Sequence, residues 1–413
     1  MTQLQVDVQP EKVGFDAGRL ARIDRHFARY VDDGRLPGWL VLVSRDGKIA
    51  HLSTYGRRDM EADLPVELDT RFRIYSMTKP VTSVAAMMLF EEGAFQLKDP
   101  VSKFIPSFAD ARVYRGGTAL AATQVTEPVT EPVRVWHLLT HTAGLTYGFH
   151  HAHPVDEMYR AAGFEWTTPA DLDLAGCCDT WAGIPLLFQP GSEWNYSVAS
   201  DVLGRVVEVA SGQPLDRFFS ERIFEPLGMA DTAFWAGKDT KDLAALYVPE
   251  PGSRRALRYD ALGQGALRPP KAVLGGQGLI STAADYHRFT QMLLGGGALD
   301  GTRLLGTRTL RYMTRNHLPG GADLEAFGRP LFAEPTFEGV GFGLGFSVVL
   351  DPIANKVPSS PGEFAWGGAA STAFWVDPVE RITVAFLTQL LPSSTHPIRP
   401  ELRQLVYQAL VDD

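Results

Sequence analysis

Ser76 and Lys79 stand three residues apart in Arg71-Phe-Arg-Ile-Tyr-Ser-Met-Thr-Lys-Pro80, just ahead of an apolar run that reads as a helix. Positions i and i+3 of a helix share a face, so the lysine amine can reach the serine oxygen. A serine hydroxyl is a weak nucleophile until a base takes its proton, and a partly desolvated lysine can be that base. A nucleophile at a helix start also sits where the backbone favours the anion formed on attack. Chance alone supplies on the order of one Ser-x-x-Lys in a chain of this size, and the sequence contains this one only. The competing reading is a helix cap followed by a solvated lysine.

Two further groups could complete a site. Trp194-Asn-Tyr196-Ser-Val198 follows the turn Pro190-Gly191 and precedes a helical run to Ser211. A tyrosine at that helix entrance, near a lysine cation, could relay a proton through a stabilised phenolate. Its ordinary alternative is a half-buried ring with the hydroxyl bonded to backbone. Trp366-Gly367-Gly368-Ala369-Ala370-Ser371 offers adjacent glycines, which let a strand edge approach a ligand closely. An edge N–H there, paired with the Ser76 N–H, would make an oxyanion hole. An ordinary bulge or turn fits those glycines equally well.

Other catalytic plans fit less well. The Gly-x-Ser-x-Gly elbow of α/β-hydrolases is missing from the sequence. His137 and His141 have i, i+4 spacing, but the glutamate of a His-Glu-x-x-His zinc helix is absent, so packing and capping roles are expected. His150-His151-Ala-His153 is read as a loop beside Pro154 rather than a metal site, and Gly275-Gly-Gln-Gly278 lacks the lysine-serine pair of a phosphate loop. Cys177 and Cys178 are the only cysteines; adjacent, they cannot staple distant segments, and two buried reduced thiols are expected.

The elements that must position these residues are legible from periodicity. Residues 15–32 show an amphipathic helix, with Leu20, Ile23, Phe27, Tyr30 and Val31 at helical spacing. Strand-like runs 39–44 and 49–55 flank Asp46-Gly47, a hairpin signal. A helix from Thr78 to about Glu92 ends at Gly93; Pro80 is tolerated in its first turn, which keeps Ser76 close to the helix start. Residues 108–133, with Gly116-Gly117 and the doubled Thr126-Glu-Pro-Val-Thr-Glu-Pro-Val133, read as an extended surface loop. Helical pieces dominate to about residue 235, a Gly/Pro-rich passage fills 250–278, and a hairpin of 373–376 with 382–387 precedes a terminal helix. Strands at both ends and helices between them predict an α+β fold, its antiparallel sheet assembled from both termini around a helical insertion.

Composition sets the outer limits. A chain of 413 residues exceeds the usual single core, and 45% apolar with 21% charged residues is an ordinary globular balance. The net charge of −9, without a basic block, argues against nucleic acid or an anionic membrane surface as partner. The first ten residues lack signal-peptide regions, and no apolar run reaches the ~20 residues that span a bilayer. A soluble cytoplasmic enzyme is the expectation.

Ser-x-x-Lys, Tyr-x-x and Trp-Gly-Gly in that order resemble the serine β-lactamase and penicillin-binding superfamily, specifically class C β-lactamases and family VIII carboxylesterases. The resemblance runs nearly the whole chain: His137-Leu-Leu-Thr-His-Thr-Ala-Gly-Leu145, Gly275-Gly-Gln-Gly-Leu-Ile-Ser281 and Gly341-Phe-Gly-Leu-Gly345 look like segments recurring in that group. It implies an α/β part from residues 1–105 and 275–413, a mainly helical insertion at 106–274, and an active site in the groove between. It also implies Ser76 as nucleophile, Lys79 as adjacent amine, Tyr196 as proton-relay partner, and the N–H groups of Ser76 and Ala369 as oxyanion hole. No metal or organic cofactor is implied.

Departures from the pattern direct the expected substrate. The second β-lactamase motif ends in asparagine, where this chain has Val198. The third reads Lys-Thr-Gly or a close variant, where Trp366 and Gly367 stand here, so the cation and hydroxyl for a β-lactam carboxylate are gone. Trp-Gly-Gly is the form expected of family VIII esterases. The expectation is therefore a serine carboxylesterase acting on small, short-chain esters through an acyl-enzyme. Trp366, Gly367, Gly368, Val198 and Tyr147 are the candidate substrate contacts, and Tyr147, Phe149 and Trp166 are candidates for an apolar acyl pocket. The rival readings are an acyltransferase similar to those of statin pathways, weak β-lactamase or D-amino-acid peptidase activity, and a non-catalytic ligand sensor.

Overall fold

The computed structural model describes residues 4–119, 123–329 and 337–411. Its centre is an eight-stranded antiparallel sheet drawn from both ends of the chain. The strands are β1 (Gly38–Arg45), β2 (Lys48–Asp59), β3 (Leu64–Pro65), β4 (Val340–Phe342), β5 (Ser347–Val349), β6 (Phe364–Gly367), β7 (Ala373–Asp377) and β8 (Ile382–Leu387). Across the sheet they run β4-β5-β6-β7-β8-β1-β2-β3. The β1–β8 pairing, Leu40 opposite Leu387 and Val43 opposite Val384, closes the N-terminal onto the C-terminal segment.

Both faces of the sheet are covered, which explains why Trp39-Leu-Val-Leu-Val43 is apolar throughout rather than alternating. Side chains project alternately: Trp39, Val41 and Val43 join one core with Phe27, Phe386 and Leu402, while Leu40 and Leu42 join the larger core with Val84, Met87 and Phe289. The first core is closed by α1 (Ala17–Asp32), whose Asp16 side chain caps the Arg19 N–H, and by the terminal helix. The second is closed by α2 (Thr78–Glu91), α3 (Ala199–Ser211), which ends at Gly212 with φ 70°, and α4 (Ala283–Leu294). Helix α2 is almost wholly buried, so its apolar residues run all round it. The terminal helix is α5 (Ile398–Tyr407).

Three readings from periodicity are revised. Part of 108–133, expected as a loop, is a two-stranded ribbon, Arg112–Gly116 with Val125–Pro128; fully buried Val113 anchors it, bridging to Leu186. Residues 120–122 of that stretch lie outside the described residues. The Gly/Pro-rich 250–278 passage holds a short strand, Ala256–Arg258, paired with Tyr247–Pro249. Strands β4 and β5 were not anticipated: at three residues each, beside Gly341, Gly343 and Gly345, they are too short for a period-2 signal. Among the described residues, no helix is long and apolar enough to cross a membrane.

Candidate active site

Ser76 sits in a single 3-10 turn, Tyr75–Met77, that runs directly into α2. Tyr75 adopts φ 43°, a left-handed conformation that costs a non-glycine residue roughly 1–2 kcal/mol. The surrounding structure holds it there. The Ile74 N–H donates to the Leu279 carbonyl at 3.0 Å, Phe72–Arg73 pairs with Ile280–Ser281, and the Tyr286 hydroxyl donates to the Met77 carbonyl at 3.0 Å. The Gly275–Ser281 segment is thus a brace for the serine turn. Gly275 lies against the Ser200 carbonyl and Gly276 against the Asp201 carboxylate, at separations a Cβ would not permit.

Lys79, the second residue of α2, is 1% exposed, and its Nζ has three oxygen partners. They are Ser76 Oγ at 3.2 Å, the Tyr147 hydroxyl at 3.0 Å and the Gly276 carbonyl at 2.8 Å. An ammonium satisfies all three. A neutral amine can give its two N–H groups to Tyr147 and Gly276, leaving its lone pair toward the serine proton. That geometry lets lysine act as base without being reorganised between the two states.

Tyr196 lies at the entrance to α3, and its ring faces the same amine, with Nζ 4.5 Å from the centroid. Its hydroxyl accepts from Trp366 Nε1 at 3.4 Å, while its backbone carbonyl lies 2.9 Å from His150 Nε2. The hydroxyl in direct contact with Lys79 is therefore that of Tyr147. Burial, with the Asp201 charge behind it, pushes the Tyr147 phenol well above its ordinary pKa, which keeps the hydroxyl protonated. Asp201 accepts from the Gly276 N–H at 2.7 Å, and desolvation raises its pKa to about 6 against the Lys79 charge, which opposes that rise.

The third motif reaches Ser76 from the sheet. A Cβ on Gly368 would collide with the Ile74 carbonyl and Thr372 Oγ1, so only glycine brings the end of β6 this close to the serine turn. Ser76, Tyr147, Tyr196, Trp366, Gly367, Gly368 and Ala369 all line one cleft of about 1200 Å3 measured out to its solvent opening. Tyr147, Phe149 and Trp166 form a stacked wall of it, with ring centroids 4.6 and 4.4 Å apart. Val198 is different: it is buried at the start of α3, outside the cleft lining. Arg399 and Arg403 line the cleft as well, cations that motif reading does not find because they come from α5. Arg399 donates to the Gly368 and Thr372 carbonyls, and Arg403 to Glu363.

The histidines have protein partners. His137 Nδ1 accepts from the Arg134 N–H at 3.0 Å, and burial lowers its pKa to about 3. His141 lies 3.2 Å from Ser197 Oγ and is held neutral by burial and the Lys79 charge. His151 contacts Glu165, and His153 Nδ1 caps the Val155 N–H. Cys177 and Cys178 are buried and free, and desolvation pushes the Cys177 thiol up to about 12.

Known proteins resemble this chain over nearly its full length. The chain is 31% identical to esterase EstB of Burkholderia gladioli, the alignment covering 98% of this chain and 100% of EstB. It is 27% identical to the ML-236A carboxylate methylbutanoyltransferase of Penicillium citrinum, over 94% and 93% of the two chains. Among solved structures, EstCE1, described as a hydrolase with promiscuous acyltransferase activity, superposes with a TM-score of 0.78 at 28% identity, covering 94% of this chain and 99% of EstCE1. The Beta-lactamase family model matches residues 23–408. With that match enclosing Ser76, Lys79, Tyr196 and Trp366-Gly367-Gly368, the chain belongs to the Beta-lactamase family, in the serine β-lactamase and penicillin-binding superfamily that includes family VIII-type esterases.

Proposed function

We propose that this enzyme is a serine carboxylesterase that hydrolyses small carboxylic esters through an acyl-enzyme on Ser76. The observation that carries the reading is the buried Lys79 amine, 3.2 Å from Ser76 Oγ at the floor of an aromatic-lined cleft. Similarity to EstB and EstCE1 supports an ester-hydrolysing chemistry. In the first half-reaction Ser76 Oγ bonds to the ester carbonyl carbon as its proton passes to the Lys79 amine. Tyr196, aided by the Tyr147 hydroxyl on the same amine, relays that proton. The oxyanion rests on the Ser76 and Ala369 N–H groups. The C–O bond to the alcohol then breaks and the alkoxide takes the proton, with Tyr196 as donor. Water repeats the sequence on the acyl-enzyme, its proton returning to Ser76 Oγ as the acid leaves.

The replacement of a Lys-Thr-Gly motif by Trp366-Gly367 favours esters over β-lactams, since the arginines in the cleft have backbone carbonyls and Glu363 as acceptors. A panel of p-nitrophenyl esters of increasing acyl length, run on wild type and Ser76→Ala, tests the reading. Turnover of short-chain esters by wild type and its loss in a folded Ser76→Ala variant is the expected result; undiminished turnover in the variant overturns it.

A second reading, acyl transfer, uses the same first half-reaction and is favoured by the similarity to the Penicillium citrinum methylbutanoyltransferase and to EstCE1. Adding a primary alcohol to the assay and measuring the new ester by chromatography sets the ratio of transfer to hydrolysis.

A further inference from the structure

Arg399 enters the cleft from α5 and meets the motif Trp366-Gly367-Gly368 from behind. Its Nη2 donates to the Gly368 carbonyl at 3.0 Å and to the Thr372 carbonyl at 3.2 Å. The Gly368 N–H itself donates to the Thr372 carbonyl at 2.9 Å, closing a turn over Ala369, Ala370 and Ser371. Ser371 adopts φ 66° there, and its hydroxyl donates to the Leu390 carbonyl at 2.7 Å. The guanidinium therefore clamps both carbonyl ends of the turn that carries Ala369 into the cleft lining.

The Gly368 carbonyl and the Ala369 N–H are two ends of one conjugated peptide unit. A cation bonded to the oxygen draws electron density toward it and makes the N–H at the other end a stronger donor, the polarisation that strengthens chains of hydrogen bonds. Gly367 has a separate role in this arrangement. A Cβ at that position would overlap the Arg399 guanidinium, so the first glycine of the pair admits the arginine and the second admits Ile74.

We propose that Arg399 is a positioning residue that strengthens and aims the Ala369 N–H toward the oxyanion through the Gly368–Ala369 peptide. The proposal rests on the acyl-enzyme reading of Ser76 and goes beyond it, to the group that tunes the oxyanion hole. Two effects separate it from a scaffolding role. The acyl-enzyme carbonyl, whose oxygen occupies the hole, is polarised in proportion to the donor strength of Ala369. Acylation also slows when the guanidinium is displaced although it remains in the protein.

The test uses the full-length enzyme, Arg399→Gln, Arg399→Lys and Gly367→Ala, acylated with p-nitrophenyl pivalate labelled with 13C at the carbonyl. Stopped-flow nitrophenolate release gives the acylation rate, isotope-edited infrared spectroscopy gives the carbonyl stretch, and peptide mass spectrometry locates the adduct. Arg399→Gln and Gly367→Ala should each acylate about tenfold more slowly, a fraction of the loss expected from deleting a donor outright. Their carbonyl stretch should rise above wild type, with Arg399→Lys between. A stretch identical to wild type in Gly367→Ala and Arg399→Lys, whatever the rates, overturns the proposal. If Arg399→Gln does not fold, those two variants decide the question on the same terms. A wild-type adduct on a residue other than Ser76 overturns the acyl-enzyme reading itself, whereas an adduct on Ser76 with an invariant stretch overturns only the role of Arg399.

Discussion

Replacing Tyr147 by phenylalanine isolates one atom of the proposed proton path. The ring stays in its stack on Phe149 at 4.6 Å and beneath the Lys79 amine at 5.3 Å, so packing and the cation–π contact persist. What disappears is the hydroxyl 3.0 Å from Lys79 Nζ, one of three oxygen partners of a buried amine. That hydroxyl accepts from the amine in both of its states, which leaves the lone pair of the free base turned toward Ser76. A hydrogen bond to a charged group is worth about 1.5–3 kcal/mol, and each 1.36 kcal/mol is tenfold in rate, so kcat/KM should fall roughly 10- to 150-fold. KM for p-nitrophenyl butyrate should change little, because no packing surface is lost. Steady-state kinetics of wild type, Tyr147→Phe and Tyr196→Phe across pH 5–10 read this directly. Tyr196→Phe, as the relay, should lose on the order of 10²–10⁴. A Tyr147→Phe enzyme within twofold of wild type, with an unchanged pH profile, would remove Tyr147 from the proton path and refute the reasoning.

Other perturbations follow from the same geometry. Asp201 has its folded pKa raised from 3.8 to about 6 by burial, so its stabilising protonated form is present at low pH and lost as pH rises through about 6. That loss amounts to about 2 kcal/mol between pH 4 and 7. Asp201→Asn, which can still accept from the Gly276 N–H, should lack this fall, and urea denaturation of both proteins at pH 4 and 7 measures it. Gly368→Ala forces a methyl into the Ile74 carbonyl; turnover should drop by at least 10²-fold as the oxyanion donors separate, a loss visible in the p-nitrophenyl ester assay. Tyr407→Phe removes the one hydroxyl that lies 2.7 Å from both buried Glu363 and buried Asp377 and whose single proton they share, which should lower stability by about 1–3 kcal/mol in thermal melts while leaving kcat within severalfold.

The grouping of the candidate site residues was legible in the sequence wherever it was local. Ser76 and Lys79 are joined by helical spacing, Tyr196 by its place at a helix entrance, and Gly368 by the freedom that only glycine has. The sheet built from both termini followed from runs such as Trp39–Val43 and the last hairpin. The residues that periodicity could not assign act across the fold. The Tyr147 hydroxyl and the Gly276 carbonyl reach Lys79 from 68 and 197 positions away, and Arg399 reaches Gly368 from the terminal helix. The segment Gly275-Gly-Gln-Gly278 carried no motif with a mechanism, because its function is to brace the serine turn by close backbone approach. Val198 was singled out by comparison with an asparagine in a related motif, yet an apolar side chain at that position turns into the core.

The central claim is that Ser76 carries the acyl group. Acid-quenching the enzyme during turnover of p-nitrophenyl butyrate, digesting it and sequencing the modified peptide by mass spectrometry tests it most directly. The account predicts a butyryl adduct on Ser76, absent from Ser76→Ala and accumulating in a deacylation-impaired variant. A butyryl group found on any other residue, or ester hydrolysis that persists undiminished in folded Ser76→Ala, would contradict it.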